Sequence, residues 1–261
     1  MLFRSSPTPL SVRGLTVRFG GVTAIDGVNL DIEPGQVVGL IGPNGAGKTT
    51  VIDAVTGFVA PAGGQVTLGG QDVTGWSTAR RSKGGLRRSF QSLELFEDVT
   101  VGENLHAGAD ESGWRTWVTD LIRPGRHPLS PSASTVVRDF ELENDLDVLP
   151  GELSYGRRRL VGIARAVASA PSVILLDEPA AGLDDAESRE LAVAIRHLAV
   201  QRGAGVLLIE HDMGLVMTTC DRIVVLEAGK VIAAGTPDEI AASPAVRDAY
   251  LGTDDETEAA R

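Results

Sequence analysis

Gly42-Pro43-Asn44-Gly45-Ala46-Gly47-Lys48-Thr49-Thr50 fits the pattern G-x-x-x-x-G-K-[ST], in which a glycine-rich loop binds phosphate. The apolar run Gln36-Val37-Val38-Gly39-Leu40-Ile41 comes just before it and is typical of a buried parallel strand. A helix is predicted over 49–59, with Ile52 and Val55 on one face. Strand, loop and helix therefore follow one another in the order that this motif requires.

The residue types of this loop suit a polyphosphate ligand. Gly42, Gly45 and Gly47 allow positive φ angles and a close approach of the backbone to an anion. The loop N–H groups and the start of the next helix would point at that anion. Lys48 supplies a compact positive charge for the β- and γ-phosphates, and the Thr49 hydroxyl is a hard oxygen ligand for Mg²⁺. The alternative is a glycine-rich turn that binds nothing, and the flanking strand and helix argue against it.

Composition restricts the class of protein. The chain has 261 residues, 43% hydrophobic and 23% charged, as in ordinary globular proteins. A net charge of −11 argues against a general nucleic-acid binder. No apolar run approaches the roughly 18 residues that span a bilayer, and the first residues lack the apolar segment of a signal peptide. The single cysteine, Cys220, excludes an internal disulfide and predicts a small buried side chain. We expect a cytoplasmic protein.

Strand patterns surround the glycine-rich loop, at 11–19, 28–32, 65–68, 172–176, 205–209, 222–226 and 230–234. The first two alternate apolar and polar residues, which predicts an antiparallel sheet with one exposed face. The runs at 172–176 and 205–209 are apolar, and an amphipathic helix over 186–201 separates them, whereas 222–226 and 230–234 flank Glu227-Ala228-Gly229 and are predicted to form a hairpin. This alternation predicts a parallel sheet with helices on its faces.

Strand patterns disappear between about 94 and 158. Stretches at 102–105, 114–122 and 134–142 are helical by pattern. We therefore expect a single domain over 10–252, with a helical subdomain over about 94–158 inserted into it and flexible ends at 1–9 and 253–261.

Polar side chains follow two of the apolar strands at the edge where α/β proteins bind ligands. Asp177 and Glu178 end one strand, and His211 follows the next. Asp177 would bind Mg²⁺ through water, and Glu178 would polarise an attacking water as general base. A neutral imidazole at His211 would hydrogen-bond a γ-phosphate. An exposed acidic turn and a structural histidine are the alternatives.

Three further features are ambiguous by themselves. Leu153-Ser154-Tyr155-Gly156 precedes an arginine-rich helix, and a simple serine cap explains Ser154. Gln91 has no chemical context of its own. A basic cluster comprises Arg80, Arg81, Lys83, Arg87 and Arg88. It would contact lipid headgroups or a membrane protein, or form a solvated loop, and we favour the solvated loop.

In this order the motifs resemble those of one family, the ATP-binding subunits of ABC transporters. The matching features are the strand aromatic Phe19, the P-loop at 42–49, the Q-loop Gln91, the signature Leu153-Ser154-Tyr155-Gly156, the Walker B carboxylates Asp177-Glu178, the D-loop Gly182-Leu183-Asp184 and the switch histidine His211. The resemblance covers about 10–252. It implies an α/β fold with a P-loop NTPase (RecA-like) core, an N-terminal antiparallel β subdomain and an inserted α-helical subdomain.

Within that family the chain looks most like the ATPases of branched-chain amino acid (Liv-type) importers. The finer match lies in Ser89-Phe90-Gln91 with Leu95-Phe96 and Thr100-Val101-Gly102-Glu103-Asn104-Leu105, in the signature, in Asp177-Glu178-Pro179-Ala180-Ala181-Gly182-Leu183, and in Ile209-Glu210-His211-Asp212-Met213. Arg157 departs from the family, which usually has Gln or Glu there. The segment between Asn104 and Leu153 also differs, so contacts with membrane subunits are not carried over from it.

The resemblance implies an ATPase that works as a head-to-tail pair, with ATP and Mg²⁺ bound between P-loop and partner signature. It implies nucleotide contacts from Phe19, Gly42, Pro43, Asn44, Gly45, Ala46, Gly47, Lys48, Thr49 and Thr50, metal contacts from Thr49, Gln91 and Asp177, catalysis by Glu178 and His211, a D-loop role for Asp184, and action on the partner's ATP by Leu153, Ser154, Tyr155 and Gly156.

The implied partners are a second ATP-binding subunit (self or paralogue), two transmembrane permease subunits and, indirectly, an extracytoplasmic substrate-binding protein. The implied place is the cytoplasmic face of the cell membrane, as a peripheral subunit energising uptake of branched-chain or other amino acids, with no nucleic-acid partner. The alternatives are an amide or urea importer, a lipid exporter, or a soluble ABC ATPase that acts on the ribosome or DNA.

Overall fold

A computed structural model of the protein describes residues 9–89, 95–109 and 129–249. These residues form two compact units, which we call the sheet unit (the described residues of 1–91 and 172–261) and the helical unit (the described residues of 92–171). The sequence predicts that the helical segment ends near 158, whereas the helical unit continues to 171.

The elements of the described residues follow the predicted order closely. The strands are β1 (Leu10–Phe19), β2 (Val22–Ile32), β3 (Val37–Ile41), β4 (Gly63–Leu68), β5 (Gln71–Asp72), β6 (Leu86–Ser89), β7 (Val173–Asp177), β8 (Gly205–Ile209), β9 (Arg222–Glu227) and β10 (Lys230–Gly235). The helices are α1 (Lys48–Thr56), α2 (Thr78–Lys83), α3 (Val101–Ala109), α4 (Pro131–Asp139), α5 (Tyr155–Val167), α6 (Asp185–Arg202), α7 (Met213–Thr219) and α8 (Pro237–Ala242), with a 3₁₀ turn at Pro150–Glu152.

The first sheet is antiparallel, in the order β2-β1-β4-β5. Buried and exposed residues alternate along β1, so one face packs on the core and the other meets solvent. This confirms the predicted antiparallel subdomain. Strand β2 begins at Val22 rather than at 28, because Ile25 is fully buried and pairs with Val17 of β1.

The second sheet has the order β10-β9-β3-β8-β7-β6 among the described strands. β3 is parallel to both β8 and β9, and β7 is parallel to β8 and β6. Every residue of β3, β7 and β8 is buried, as the continuous apolar runs predicted. Strand β6 was not predicted, because it has only four residues and two of them are arginines.

Helix α1 ends three residues before the predicted boundary. Gly57 adopts a φ of 86° and stops the helix, and the N–H groups of Gly57, Phe58 and Val59 all donate to the Asp53 carbonyl. The buried guanidinium of Arg81 donates to the carbonyls of Ala54 and Val55 at 2.8 and 2.6 Å. It therefore satisfies the last carbonyls of α1, and the prediction of a solvated loop is wrong for Arg81.

The helical unit has helices and no strand among its described residues. Helix α3 crosses α5 so closely that a Cβ added at Gly108 would lie 2.3 Å from the Arg165 carbonyl oxygen. This packing of α5 on α3 is why the unit extends past 158. The predicted helix at 114–122 lies outside the described residues. Within the parts of the chain that the structure describes, no helix combines the length and apolar character needed to cross a membrane.

The structure predicts that Cys220 is chemically protected. Its side chain is buried, and its Sγ lies so near β3 that a Cβ at Gly39 would approach it to 2.9 Å. Burial, aided by the charge of Asp221, raises the pKa of the thiol to about 12. Native protein should therefore resist iodoacetamide at pH 8, whereas urea-unfolded protein should be alkylated within minutes. Mass spectrometry measures the label, Cys220→Ser is the blank, and rapid labelling of the native chain would contradict the burial.

Candidate active site

The glycine-rich loop joins β3 to α1 and is pressed against neighbouring backbone. Gly42 and Gly47 have φ angles of 150° and 102°. A Cβ at Gly42 would lie 2.0 Å from the carbonyl oxygen of Leu226, and one at Gly47 would lie 2.9 Å from that of Ala24. Both positions therefore exclude a side chain, for reasons of conformation and of space. The N–H of Gly229 also donates to the Ala46 carbonyl at 3.0 Å, which holds the loop from the β9–β10 turn.

Lys48 closes this loop in the structure. Its Nζ donates to the carbonyls of Gly42 and Pro43 at 2.6 and 3.0 Å. Burial lowers the pKa of the ammonium group, and the charges of Glu178 and Asp177 oppose that shift. The loop lysine and the two carboxylates after β7 thus act on one another electrostatically, although more than 120 residues separate them in the sequence.

The other loop residues differ in their exposure to solvent. Asn44, Gly45 and Thr49 are exposed, Pro43 and Thr50 are half-buried, and Ala46 is buried. Phe19, at the end of β1, is 52% exposed. These residues provide an open aromatic face and an open loop in the same unit.

Glu178 has a strained backbone. It follows Asp177 at the end of β7 with a φ of 48°, in the left-handed region that non-glycine residues rarely adopt. Its N–H donates to the carbonyl of Ile209, the last residue of β8, at 2.9 Å. Such strain persists where surrounding contacts enforce it, and it is common at catalytic positions.

His211 lies after β8 with its side chain 69% exposed. Its backbone N–H donates to Oε2 of the preceding residue, Glu210, at 3.2 Å. The structure therefore brings the glycine-rich loop, Asp177, Glu178 and His211 to one edge of the parallel sheet. This edge is the one that the sequence pattern predicted.

Sequence reasoning missed a charged residue at this edge. The guanidinium of Arg88, in β6, donates to Asp177 Oδ2 at 2.8 Å and to Asp53 Oδ1 at 2.6 Å. The Arg88 side chain is 10% exposed and that of Asp177 is 9% exposed. A solvated loop is therefore also the wrong prediction for Arg88. The only signal in the sequence was an arginine just before Gln91, in a segment that had no strand pattern.

Asp184 caps helix α6 in the sheet unit. Its Oδ1 accepts the N–H groups of Ala186 and Glu187, both at 2.8 Å, and the Glu187 carboxylate accepts the Asp184 N–H at 3.2 Å. This reciprocal capping box fixes the direction in which the chain enters the helix. Gln91 lies outside the described residues.

The signature residues belong to the helical unit. Ser154 caps α5, and its Oγ accepts the N–H of Arg157 at 3.3 Å. Gly156 is buried and Tyr155 is 46% exposed. The Arg157 guanidinium forms an ion pair with Asp145 and donates to the Glu141 carbonyl at 2.6 Å. The residue that departs from the family pattern is therefore held within its own unit.

The donor types at the sheet edge fit Mg²⁺. The Thr49 hydroxyl and the Asp177 carboxylate are hard oxygen ligands of the kind that this ion takes. Asp177 also acts electrostatically on Lys48, the residue before Thr49.

Comparison with known families gives two matches. Residues 25–181 match the family described as ABC transporter. Residues 230–256 match the family described as branched-chain amino acid ATP-binding cassette transporter.

Individual proteins extend the match to most of the chain. A high-affinity branched-chain amino acid transport ATP-binding protein of Pseudomonas aeruginosa, BraF, is 40% identical over 248 residues, which cover 93% of this chain and 97% of that protein. The protein of that description from Escherichia coli, LivG, is 41% identical over 249 residues, with the same coverage. Among solved structures, the ADP conformation of MJ1267, an ATP-binding cassette of an ABC transporter, has a TM-score of 0.82 at 30% identity and covers 95% of this chain and all of its own.

The Arg88 ion pairs predict a stability difference. Arg88→Met would leave the carboxylate of Asp177 buried without its cation, so we expect the free energy of unfolding to fall by about 3 kcal/mol. Urea denaturation at pH 7 measures it. Arg13→Met is the control, because Arg13 and Asp31 form an exposed ion pair worth less than about 1 kcal/mol. Equal, small losses in the two variants would contradict the role given to Arg88.

Proposed function

Because the chain belongs to the ATP-binding subunits of ABC transporters, we propose that it hydrolyses ATP to drive an importer of branched-chain amino acids through separate permease subunits. The observation that carries this proposal is the 40–41% identity, over nearly the full length, to proteins with that printed role. The match of 230–256 to a branched-chain amino acid transporter family supports the same substrate class from a different part of the chain.

We infer that the sheet unit binds the nucleotide through its glycine-rich loop. Lys48 would exchange its two loop carbonyls for phosphate oxygens, since a charged acceptor makes the stronger hydrogen bond. The loop N–H groups and the start of α1 would hold the same phosphates. Phe19, half-exposed at the end of β1, would stack on the base.

Glu178 is the proposed general base. Its carboxylate stands at the end of β7, and the strained φ of 48° directs the chain out of the sheet at that residue. His211, which follows the neighbouring strand β8, would hydrogen-bond the γ-phosphate. When bound with ATP, Mg²⁺ would neutralise charge on the phosphate oxygens, and we infer that Thr49, Asp177 and Gln91 hold it.

We infer that the chain acts in a head-to-tail pair. In this arrangement Leu153, Ser154, Tyr155 and Gly156 of one subunit would meet the ATP of the other. The α5 N-terminus, capped by Ser154, presents backbone N–H groups that suit a γ-phosphate. ATP would favour the closed pair and hydrolysis would release it, which makes the pair a two-state element that drives the permeases at the cytoplasmic face of the membrane.

The general base is tested by Glu178→Gln. The amide keeps the size of the side chain but cannot accept a proton, so we expect kcat for ATP to fall by at least about 100-fold. The Kd for ATP should stay within about 3-fold, because the loop that binds phosphate is unchanged.

Phosphate release and nucleotide titration of the purified chain measure the two quantities. Glu33→Gln is the matched control, since Glu33 is exposed and precedes β3, at the opposite end of that strand from the glycine-rich loop. Full turnover by Glu178→Gln would refute the role of this residue.

The transport role predicts specific partners. Tagged protein purified from native membranes in detergent should carry two multi-span permeases and a second ATPase, identified by mass spectrometry. Cells that lack the chain should lose uptake of labelled leucine, and wild-type protein, but not Glu178→Gln, should restore it. Uptake of labelled urea or a short amide should be unaffected. Ribosomal or DNA-repair proteins in the purified material would overturn the transport role and leave the ATPase activity in place.

A further inference from the structure

Glu210 is a buried acid that the proposed chemistry does not use. It lies between the end of β8 and His211, and its side chain is fully buried. Burial raises the pKa of this carboxyl group, and backbone N–H donors at Ala180, His211 and Asp212 oppose that shift. A carboxyl group in such a place is costly unless its oxygens are hydrogen-bonded, so its contacts indicate its purpose.

The two oxygens of Glu210 bind two different segments. Oε1 accepts the N–H of Ala180 at 2.7 Å, and Oε2 accepts the N–H of His211 at 3.2 Å. Ala180 belongs to the turn after β7, two residues past Glu178. One side chain therefore joins the turn that carries the proposed general base to the loop that carries the proposed phosphate sensor.

The contact with Ala180 completes a clamp around Glu178. On one side, the Glu178 N–H donates to the Ile209 carbonyl at 2.9 Å. On the other side, the Ala180 N–H donates to Glu210. Both acceptors come from the end of β8. Because the left-handed conformation is unfavourable for a non-glycine residue, hydrogen bonds on both sides of Glu178 hold it there.

We propose that Glu210 is a positioning residue whose carboxylate holds the Glu178 turn and the His211 loop in one fixed relation. This inference rests on the proposed roles of Glu178 and His211. It adds that the geometry of the two groups is set jointly, by a side chain that is itself fully buried. Loss of the link would disturb the reacting groups and leave the glycine-rich loop, and therefore ATP binding, as it is.

Glu210→Gln tests the link with almost no change in volume. The amide group has one oxygen and one NH₂, so one of the two segments loses its acceptor and meets a donor instead. We expect kcat for ATP to fall by about 100-fold, as small misplacements of reacting groups do, with the Kd for ATP within about 3-fold of wild type. Glu210→Asp keeps the charge but is too short to reach both segments, and it should show the same loss of kcat.

A double-variant cycle separates positioning from general damage. If Glu210 acts through both the His211 loop and the Glu178 turn, adding Glu210→Gln to His211→Ala should cost less than adding it to wild type, because the part of its effect that acts through His211 is already lost. Amide hydrogen exchange should also rise at 178–183 and 210–213 in Glu210→Gln, and stay constant at 42–50.

The control is Glu239→Gln, which makes the same chemical change at a helix cap. The Glu239 carboxylate accepts the Thr236 N–H at 2.8 Å at the start of α8, away from both segments. It should keep wild-type kcat.

A parallel loss of kcat and ATP affinity, wild-type turnover in Glu210→Asp, or full additivity with His211→Ala would each overturn the positioning role. Full turnover in Glu178→Gln or His211→Ala would instead count against the proposed function. Because Glu210 is unchanged in these two variants, failure of the proposed function can be distinguished from failure of the positioning role.

Discussion

The register of three parallel strands determines the geometry of the candidate site. Ile209 of β8 lies opposite Leu40 of β3 on one side and opposite Asp177 of β7 on the other. Three strands therefore reach their last residues at almost the same level, and the loops that follow leave from one edge of the sheet. Because the evenly spaced hydrogen bonds of parallel strands fix this register, the loops leave the sheet at fixed positions relative to one another. Even the strained φ of Glu178 depends on this edge, since its N–H is satisfied by Ile209.

Around that edge, charges of opposite sign lie next to one another. Lys48 lies in the field of Asp177 and Glu178, and Asp177 is bound by Arg88, which also binds Asp53 of α1. Removing one partner of the Arg88–Asp177 pair would leave the other buried without its counter-charge, so each group depends on the other for its position. Arg88 therefore links β6 to β7 and to α1 through its two ion pairs. On the β8 side, the Glu210 carboxylate makes a similar link between segments, but it accepts backbone N–H groups instead of binding a cation.

The helical unit contributes differently. Its candidate residues lie at the N-terminus of α5. Ser154 caps this helix, and Arg157 binds Asp145 and the Glu141 carbonyl. An arginine in the first turn of a helix opposes the helix dipole, and the ion pair with Asp145 offsets that cost. Contacts within this unit therefore satisfy Arg157, the residue that departs from the family pattern. The helix that begins with Tyr155 and Gly156 is still capped by Ser154.

Residue type and spacing were enough to predict the glycine-rich loop, the apolar strands β3, β7 and β8, the antiparallel sheet and the carboxylates after β7. Those features depend on local spacing and residue type, which a sequence displays directly. The burial and the contacts of Arg81, Arg88 and Glu210 became visible only in the folded chain. The basic cluster had the composition of a solvated loop, yet Arg81 caps α1 and Arg88 binds Asp53 and Asp177, which lie 35 and 89 residues away. A glutamate is ordinarily exposed to solvent, yet the Glu210 side chain is buried and accepts a hydrogen bond from Ala180, 30 residues away. One physical cause explains why the burial of all three side chains was not predicted. Whether a charged side chain is solvated or buried depends on the donors and acceptors that packing brings to it, and those groups come from distant parts of the chain.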